Sequence, residues 1–179
     1  MIAAVCQLLT KAGIPPPSGL TCANLVFQTS LQYNGNLGGL TGANQLCNTL
    51  AANAKLSGTF KAWLSTSAGS PSTTFTEPLI PYTPVDGTLI AKNWTDLISG
   101  TLRSFIDEDE NGVVGAGAPW TNTNANGTLA NSNNGCSDFT SASQTERGVI
   151  GNSAEIQSQW TNYGVKPCNI TSQLYCFQQ

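Results

Sequence analysis

Apolar residues in this chain occur in short groups, separated by long stretches of Asn, Gly, Ser and Thr. Near the N-terminus their three-four-three spacing is typical of one helix face, with positions at Ile2, Val5, Leu9 and Ala12. Gly13 and the prolines behind it end that helix. A helix of about three turns is marginal alone. We therefore expect it to pack either on its own domain or against copies of itself.

The remaining pattern predicts one longer helix and several short strands. Thr41 is a suitable N-cap for a helix that continues through Ala51 and ends before Gly58. Groups rich in β-branched and aromatic residues predict strands at 25–29, 60–65, 148–150, around 160–162, and 174–177.

Turns and loops fill much of the rest of the chain. Asn111-Gly112 predicts a hairpin turn between Phe105-Ile106 and Val113-Val114. Residues 69–84 are rich in Pro, Ser and Thr, and residues 121–135 in Asn, Gly and Thr, so both segments are predicted loops. Few helices, many short strands and long ordered loops indicate the α+β class.

Composition and charge narrow the range of functions. The 179 residues are enough for one domain with a sizeable core. Only 9% of the residues are charged and the net charge is −3. The overall charge of the chain therefore gives no long-range attraction to nucleic acid or anionic lipid. The chain contains no histidine, which excludes a Ser-His-Asp triad. No apolar run approaches the ~18 residues of a membrane span. We expect a non-catalytic protein without a cofactor that does not insert into membranes.

Six cysteines indicate an oxidising compartment: Cys6, Cys22, Cys47, Cys136, Cys168 and Cys176. An even number in a small, charge-poor chain predicts a disulfide framework, although the sequence alone leaves the pairing open. If all are paired, no thiolate remains as a nucleophile. The apolar start lacks the basic segment of a signal peptide, so we expect a fragment of a longer secreted or surface protein.

Several motifs, in order, resemble C-type-lectin-like domains. They are a cysteine in the longer helix and the segments 33–40 (YNGNLGGL), 61–65 (KAWLS), 85–88 (VDGT), 93–94 (NW) and 174–178 (LYCFQ). The likeness covers about residues 22–179. It is strongest to a bacterial branch of the family that includes the end domains of collagen-like surface adhesins.

The resemblance implies the long, disulfide-stapled form of this fold, with a short N-terminal helix. It implies the pairs Cys6–Cys22, Cys47–Cys176 and Cys136–Cys168. Residues 1–21 would be the helix and the junction to an upstream collagen-like stalk, and 22–179 the lectin-like domain. Because such a stalk is trimeric, a homotrimer at the bacterial cell surface, associated with the outer membrane, is expected.

The resemblance also implies sulfated glycosaminoglycans as the ligand class, because collagen-like adhesins of this branch attach to them. Clustered cations bind such polyanions, and a trimer multiplies every cation near its axis. Arg147 and Lys166 fall in the long-loop half that lectin-like folds use for ligands, so they are the first candidates. Lys92 and Arg103 are the second candidates.

Two other functions stay open at this point. One is a protein-binding module that assembles and registers a trimeric stalk. The other is a calcium-dependent lectin, but Glu77-Pro78 is followed by Leu79 and Trp160 by Thr161-Asn162, which departs from the sugar-binding motifs of that family. A further hypothesis places calcium at Asp107, Asp109 and Asn111, where the motif is incomplete because its twelfth position is Ala118 instead of a bidentate Glu.

The four tryptophans have two possible roles. Large aromatic residues in a small domain are usually core residues, and we expect this of Trp63 and Trp94. Trp120 and Trp160 lie in polar segments, so the choice between core residue and exposed sugar platform stays open for them.

Overall fold

A computed structural model describes residues 2–15, 17 and 22–179 of the chain. Four right-handed helical segments occur in that part: α1 (Ile2–Lys11), α2 (Gly39–Asn53), α3 (Pro71–Thr74) and α4 (Trp94–Leu97). The strands are β1 (Asn24–Gln28), β2 (Phe60–Ala62), β3 (Tyr82–Thr83), β4 (Arg147–Ile150), β5 (Gly164–Pro167) and β6 (Tyr175–Gln178). Ser158–Trp160 form one 3-10 turn. The predicted α+β class is confirmed.

Two sheets organise these strands. The larger has the order β2-β6-β1-β3, in which β6 runs antiparallel to both β1 and β2 while β3 runs parallel to β1. The smaller is an antiparallel ribbon of β4 and β5. Placing β6 between β1 and β2 brings the two ends of residues 24–178 together in one sheet.

The hydrophobic core consists of two clusters of buried side chains. The first joins α2 to the sheet through residues such as Ala43, Leu50 and Phe60. The second contains Trp63 and Phe177, whose ring centroids lie 5.3 Å apart. Burial of aromatic side chains on this scale is the main favourable contribution to the folding of the domain.

All three predicted disulfides are present. Cys47–Cys176 joins α2 to β6, with 5.5 Å between the Cα atoms. Cys136–Cys168 bridges the long-loop half, and Cys6–Cys22 joins α1 to the segment before β1. No described cysteine is free. Residues 1, 16 and 18–21 of the predicted helix and junction lie outside the described residues.

The start of α2 was predicted wrongly. The N-cap is Gly38 rather than Thr41, and the φ angle of Gly38 is 76°. Gly42 donates its amide to the Gly38 carbonyl, and a Cβ on Gly42 would lie 2.0 Å from the carbonyl oxygen of Leu37. The positive φ angle and the close approach of the backbone at the start of α2 both favour glycine, which has no Cβ.

Three strand predictions also differ from the structure. Of the strand predicted at 60–65, only Phe60–Ala62 is regular. Beyond it, Ser65 donates its amide to the carbonyl of Thr121, in the long loop at 121–135, instead of to a neighbouring strand. The segment around 160–162 is not a strand, since the Trp160 amide bonds to Gln157 within the 3-10 turn. The predicted hairpin is reduced to a tight turn with a single bridge near Gly112, so neither flank forms a regular strand.

The loop predicted at 69–84 contains the single turn α3 and the two-residue strand β3. Ser70 precedes α3 and donates its amide to the Thr73 hydroxyl at 3.1 Å, and Pro71 occupies the first turn. The loop predicted at 121–135 has no regular strand or helix. No helix among the described residues has the length and apolar character needed to cross a membrane.

Candidate functional site

Lys92 and Arg103, the second pair of candidate cations, line one open cleft of about 340 Å³ beside α4. Asn93 is the N-cap of α4, and its side chain accepts the amide of Asp96 at 2.9 Å. The other polar groups of the cleft are supplied by Thr95 and Ser99. We call this the basic cleft.

An ion pair crosses the basic cleft. Arg103 donates from Nε to Asp96 Oδ2 at 2.7 Å and from Nη2 to Asp96 Oδ1 at 3.1 Å. The Lys92 backbone amide also donates to Asp96 Oδ2 at 2.8 Å. The hydrogen bond from Arg103, followed by that from the Lys92 amide, lowers the pKa of the Asp96 carboxyl group. Asp96 in turn fixes the guanidinium group at the edge of the cleft.

Arg147 and Lys166, the first pair of candidates, lie on the two strands of the β4–β5 ribbon. Lys166 is opposite Gly148, and Arg147 is opposite Pro167. Because side chains alternate along a strand, Arg147 and Lys166 project from opposite faces of the ribbon. The two predicted partners are therefore neighbours in the sheet but do not form one surface.

The environments of these two cations also differ. Arg147 is exposed. Lys166 is half-buried and donates from Nζ to the Ser172 hydroxyl at 3.0 Å. Burial lowers the pKa of the Lys166 ammonium group. Of the two, Arg147 is the better placed to meet a ligand from solvent.

Most cations in the described part of the chain are not neutralised by a carboxylate. Arg103–Asp96 is the only ion pair among residues 2–15, 17 and 22–179. Lys92, Arg147 and Lys166 therefore keep their charge available, two of them at exposed positions. The structure joins Lys92 to Arg103 in one cleft, whereas the ribbon contributes no residue to that cleft.

The groups that complete the basic cleft were not predicted from the sequence. Asn93, Thr95, Asp96 and Ser99 belong to it only because α4 turns them to one side. One signal for α4 was present, since Asn93 is followed three residues later by an acidic residue, the pattern of a capped helix start.

Buried hydrogen bonds hold the long loop against the core. Trp63 donates from Nε1 to the Thr161 hydroxyl at 2.7 Å, and Thr161 donates to the Thr123 carbonyl at 2.9 Å. The hydroxyls of Ser65 and Thr123 are 2.8 Å apart. Trp120 donates to the Tyr33 carbonyl at 2.8 Å. These bonds satisfy polar groups that burial would otherwise penalise.

All four tryptophans are core residues. Trp63, Trp120 and Trp160 are 0% exposed, and Trp94 is 6% exposed. The prediction for Trp63 and Trp94 is confirmed, and the open choice for Trp120 and Trp160 is decided in favour of the core. No tryptophan ring is exposed enough to serve as a stacking platform for a sugar.

A left-handed turn lies next to the long loop, at Cys136–Phe139. The φ angles of these four residues lie between 48° and 58°, a region that costs a residue with a Cβ about 1–2 kcal/mol. The disulfide from Cys136 and the buried Phe139 ring anchor its two ends. Between them, the Asp138 carboxylate accepts the amide of Ser67 at 2.8 Å. No residue preference in the sequence predicts this turn, because glycine is absent from it.

In the acidic turn at 107–112, the carboxylates of Asp109 and Glu110 accept amides of the protein. Asp109 Oδ1 accepts the amides of Asn111 at 2.8 Å and Val113 at 3.0 Å. Among the described residues, no group of three or more Asp, Glu and Cys side chains could hold a metal ion. The structure therefore adds no ligand set to the hypothesis of calcium at this turn.

Comparison with known proteins adds no family assignment. No protein-family model matches the chain, and no curated protein matches its sequence. The structure itself defines an α+β domain with two sheets and three disulfides.

Proposed function

We propose that this chain is a C-type-lectin-like domain of a bacterial surface adhesin and binds sulfated glycosaminoglycans through exposed cations. The order of the sequence motifs supports the family assignment. The disulfide from α2 to the last strand supports it further, because this bridge brings the two ends of a lectin-like domain together. In this proposal the domain is non-catalytic and acts at the cell surface, associated with the outer membrane.

The observation that carries the proposal is the basic cleft. A guanidinium group has five N–H donors, and Asp96 accepts from two nitrogen atoms of Arg103. The remaining donors and the ammonium group of Lys92 are free to bind sulfate oxygens. Charge-assisted hydrogen bonds of this kind are stronger than neutral ones. The hydroxyl of Thr95 supplies a further donor beside them.

Arg147 provides a second contact point for a long polyanion. It lies on the ribbon rather than in the cleft, so one short sugar is not expected to reach both places. A chain with many sulfate groups gains from separate contacts, because linked binding events raise the overall affinity. We rank Lys166 below Arg147, since its ammonium group is half-buried.

A homotrimer fits the exposed side of α1. Val5 is 44% exposed and Leu8 is 68% exposed, although both are apolar. Packing of such side chains between copies of a helix removes them from water. A trimer would present three basic clefts to one polysaccharide.

The first experiment measures retention on heparin at low and moderate salt, together with mass in solution. We expect a species of three chains whose retention falls steeply as salt is added, because counterions screen exposed charges. Lys92→Glu and Arg147→Glu should weaken retention more than the control Lys55→Glu, which makes the same charge change elsewhere. Failure to bind at low salt, or equal loss in all three variants, contradicts the proposed site.

The second candidate function is a module that assembles and registers a stalk. The exposed apolar side chains of α1 favour it. Leu8→Ser should yield monomers without loss of fold, since Leu8 contributes little to the core of one chain. If the trimer forms but heparin does not bind, the assembly module becomes the better explanation.

A further inference from the structure

A second cleft, opposite in charge to the first, lies between the turn at Asp86 and the turn at Gly112. Its volume is about 250 Å³. Carboxylates of Asp86, Asp107 and Glu108 line it, together with the apolar side chains of Phe105 and Val114. We call it the acidic cleft.

The two sides of this cleft are held in place by backbone contacts. Glu108 and Val114 form an antiparallel bridge across the turn. The amide of Asp86 donates to Glu108 Oε2 at 3.2 Å, which joins the other turn to this one. The cleft is thus formed by two tied segments rather than by a single loop.

Negative charge is concentrated here. Asp86 and the run 107–110 contain five of the ten Asp and Glu residues of the chain. Of these, Asp109 and Glu110 do not line the cleft, because their carboxylates accept the amides of Asn111 at 2.8 Å and Ser30 at 3.0 Å. No lysine or arginine is among the residues that line the cleft. A cation entering it therefore meets no competing positive charge from its walls.

Apolar surface is concentrated at the same place. Phe105 is 45% exposed and Val114 is 69% exposed, and both line the cleft. Val113 beside them is 62% exposed. Exposed apolar residues are common one by one, but grouped ones indicate an interaction site.

Glu108 is an unusual member of the cleft. Its side chain is 95% buried, because only 5% of its surface is exposed. One carboxylate oxygen accepts the Asp86 amide, and among the described residues no donor is found for the other. That second oxygen is not among the fully buried unpaired polar atoms of the described residues, so it reaches the opening of the cleft. A positively charged group in the cleft would complete its interactions.

We propose that the acidic cleft binds a lysine or arginine side chain of a partner protein, presented beside an apolar residue. The cation pairs with Glu108 and Asp107, and the apolar neighbour covers Phe105 and Val114. A pocket for a drug-sized molecule usually has about 300–1,000 Å³, so this volume suits one side chain better. A metal ion is a poorer fit, since no described group of three acidic or cysteine side chains could hold one.

This surface is independent of glycosaminoglycan binding. Sulfate groups are repelled by the acidic cleft, and cationic peptides are repelled by the basic cleft. Failure of either function therefore leaves the other unaffected. The two charges would let one domain hold a polysaccharide and a basic protein segment together.

The test is a titration of ¹⁵N-labelled protein with the acetylated, amidated pentapeptide Gly-Lys-Leu-Lys-Gly. We expect saturable shifts at the amides of Asp86, Val113 and Val114, which lie in or beside the cleft. The peptide Gly-Glu-Leu-Glu-Gly should cause none. Shifts spread over the whole surface, or equal shifts with both peptides, would overturn the proposal.

Two matched variants separate the cleft from general charge attraction. Glu108→Gln keeps an acceptor for the Asp86 amide but removes the charge, and should weaken peptide binding about tenfold. Glu77→Gln makes the same charge change at an exposed site and should leave binding unchanged. Equal weakening in both variants overturns the proposal. Amide shifts in the cleft that grow with protein concentration in the absence of peptide also overturn the proposal, because the occupant is then a second copy of this chain.

Discussion

Ser137, in the left-handed turn, offers a direct test of the backbone there. Its φ angle is 52°, and its side chain is exposed. Alanine at this position keeps the penalty of about 1–2 kcal/mol that a Cβ incurs in the left-handed region. Glycine removes that penalty but loses about 0.5–1 kcal/mol through the extra freedom of its unfolded chain. We expect Ser137→Gly to be more stable than Ser137→Ala by about 0.5–1 kcal/mol.

Comparing the glycine variant with the alanine variant, rather than with the wild type, cancels the effect of the lost Ser137 hydrogen bond. The Ser137 hydroxyl donates to Glu146 at 3.1 Å, and both variants lose that bond equally. The assay is urea unfolding with the disulfides intact, followed by fluorescence of the four buried tryptophans. Ser143 serves as the control position, because its φ angle is not positive. There, Ser143→Ala should be more stable than Ser143→Gly. Alanine more stable than glycine at Ser137 as well would refute the left-handed conformation.

Three further predictions concern packing, covalent links and pH. Gly148→Ala should destabilise by about 1–3 kcal/mol, because the new Cβ would lie 2.7 Å from a disulfide sulfur and a tryptophan ring. Gly164→Ala has nothing within 4 Å and should change urea stability by less than about 0.5 kcal/mol. Replacing Cys47 and Cys176 by alanine opens a link across 129 residues and should lower unfolding free energy by about 5 kcal/mol. Asp96→Asn should lower the melting temperature near neutral pH. Because the folded pKa of Asp96 is depressed, this difference should shrink in calorimetry below about pH 4.

The types of α2 and of the last strand could be predicted, because they depend on the residues within each element. The apolar spacing of α2 and the β-branched and aromatic residues of the last strand led to the correct element types. The pairing of Cys47 with Cys176 came from the family resemblance rather than from spacing. The turn at Cys136–Phe139 was beyond prediction, because its conformation depends on a disulfide and on Ser67, a residue distant in sequence.

For the candidate site as well, the sequence predicts only a part and the tertiary structure determines the rest. The identity of the cations is visible in the sequence, but their surroundings are set by tertiary structure. Arg103 acquires its carboxylate partner only because α4 presents Asp96 to it. Lys166 loses exposure because its strand packs close to Ser172. Counting charges along the chain therefore identified the candidate cations but not their exposure, and we place Arg147 above Lys166 because Lys166 is half-buried.

Thr161 is one reason why we propose surface cations, rather than the loop at 121–135, as the ligand-binding groups. It directly follows the buried Trp160, and its hydroxyl is used by Trp63 and by the Thr123 carbonyl. A side chain committed inside the domain cannot also meet a ligand, and Thr161 is fully buried. The loop at 121–135 is thus held by buried hydroxyl groups of Thr161, Ser65 and Thr123. Under the proposed function, a sulfated chain would bind outside this network without rearranging it, so the protein would lose little conformational entropy on binding.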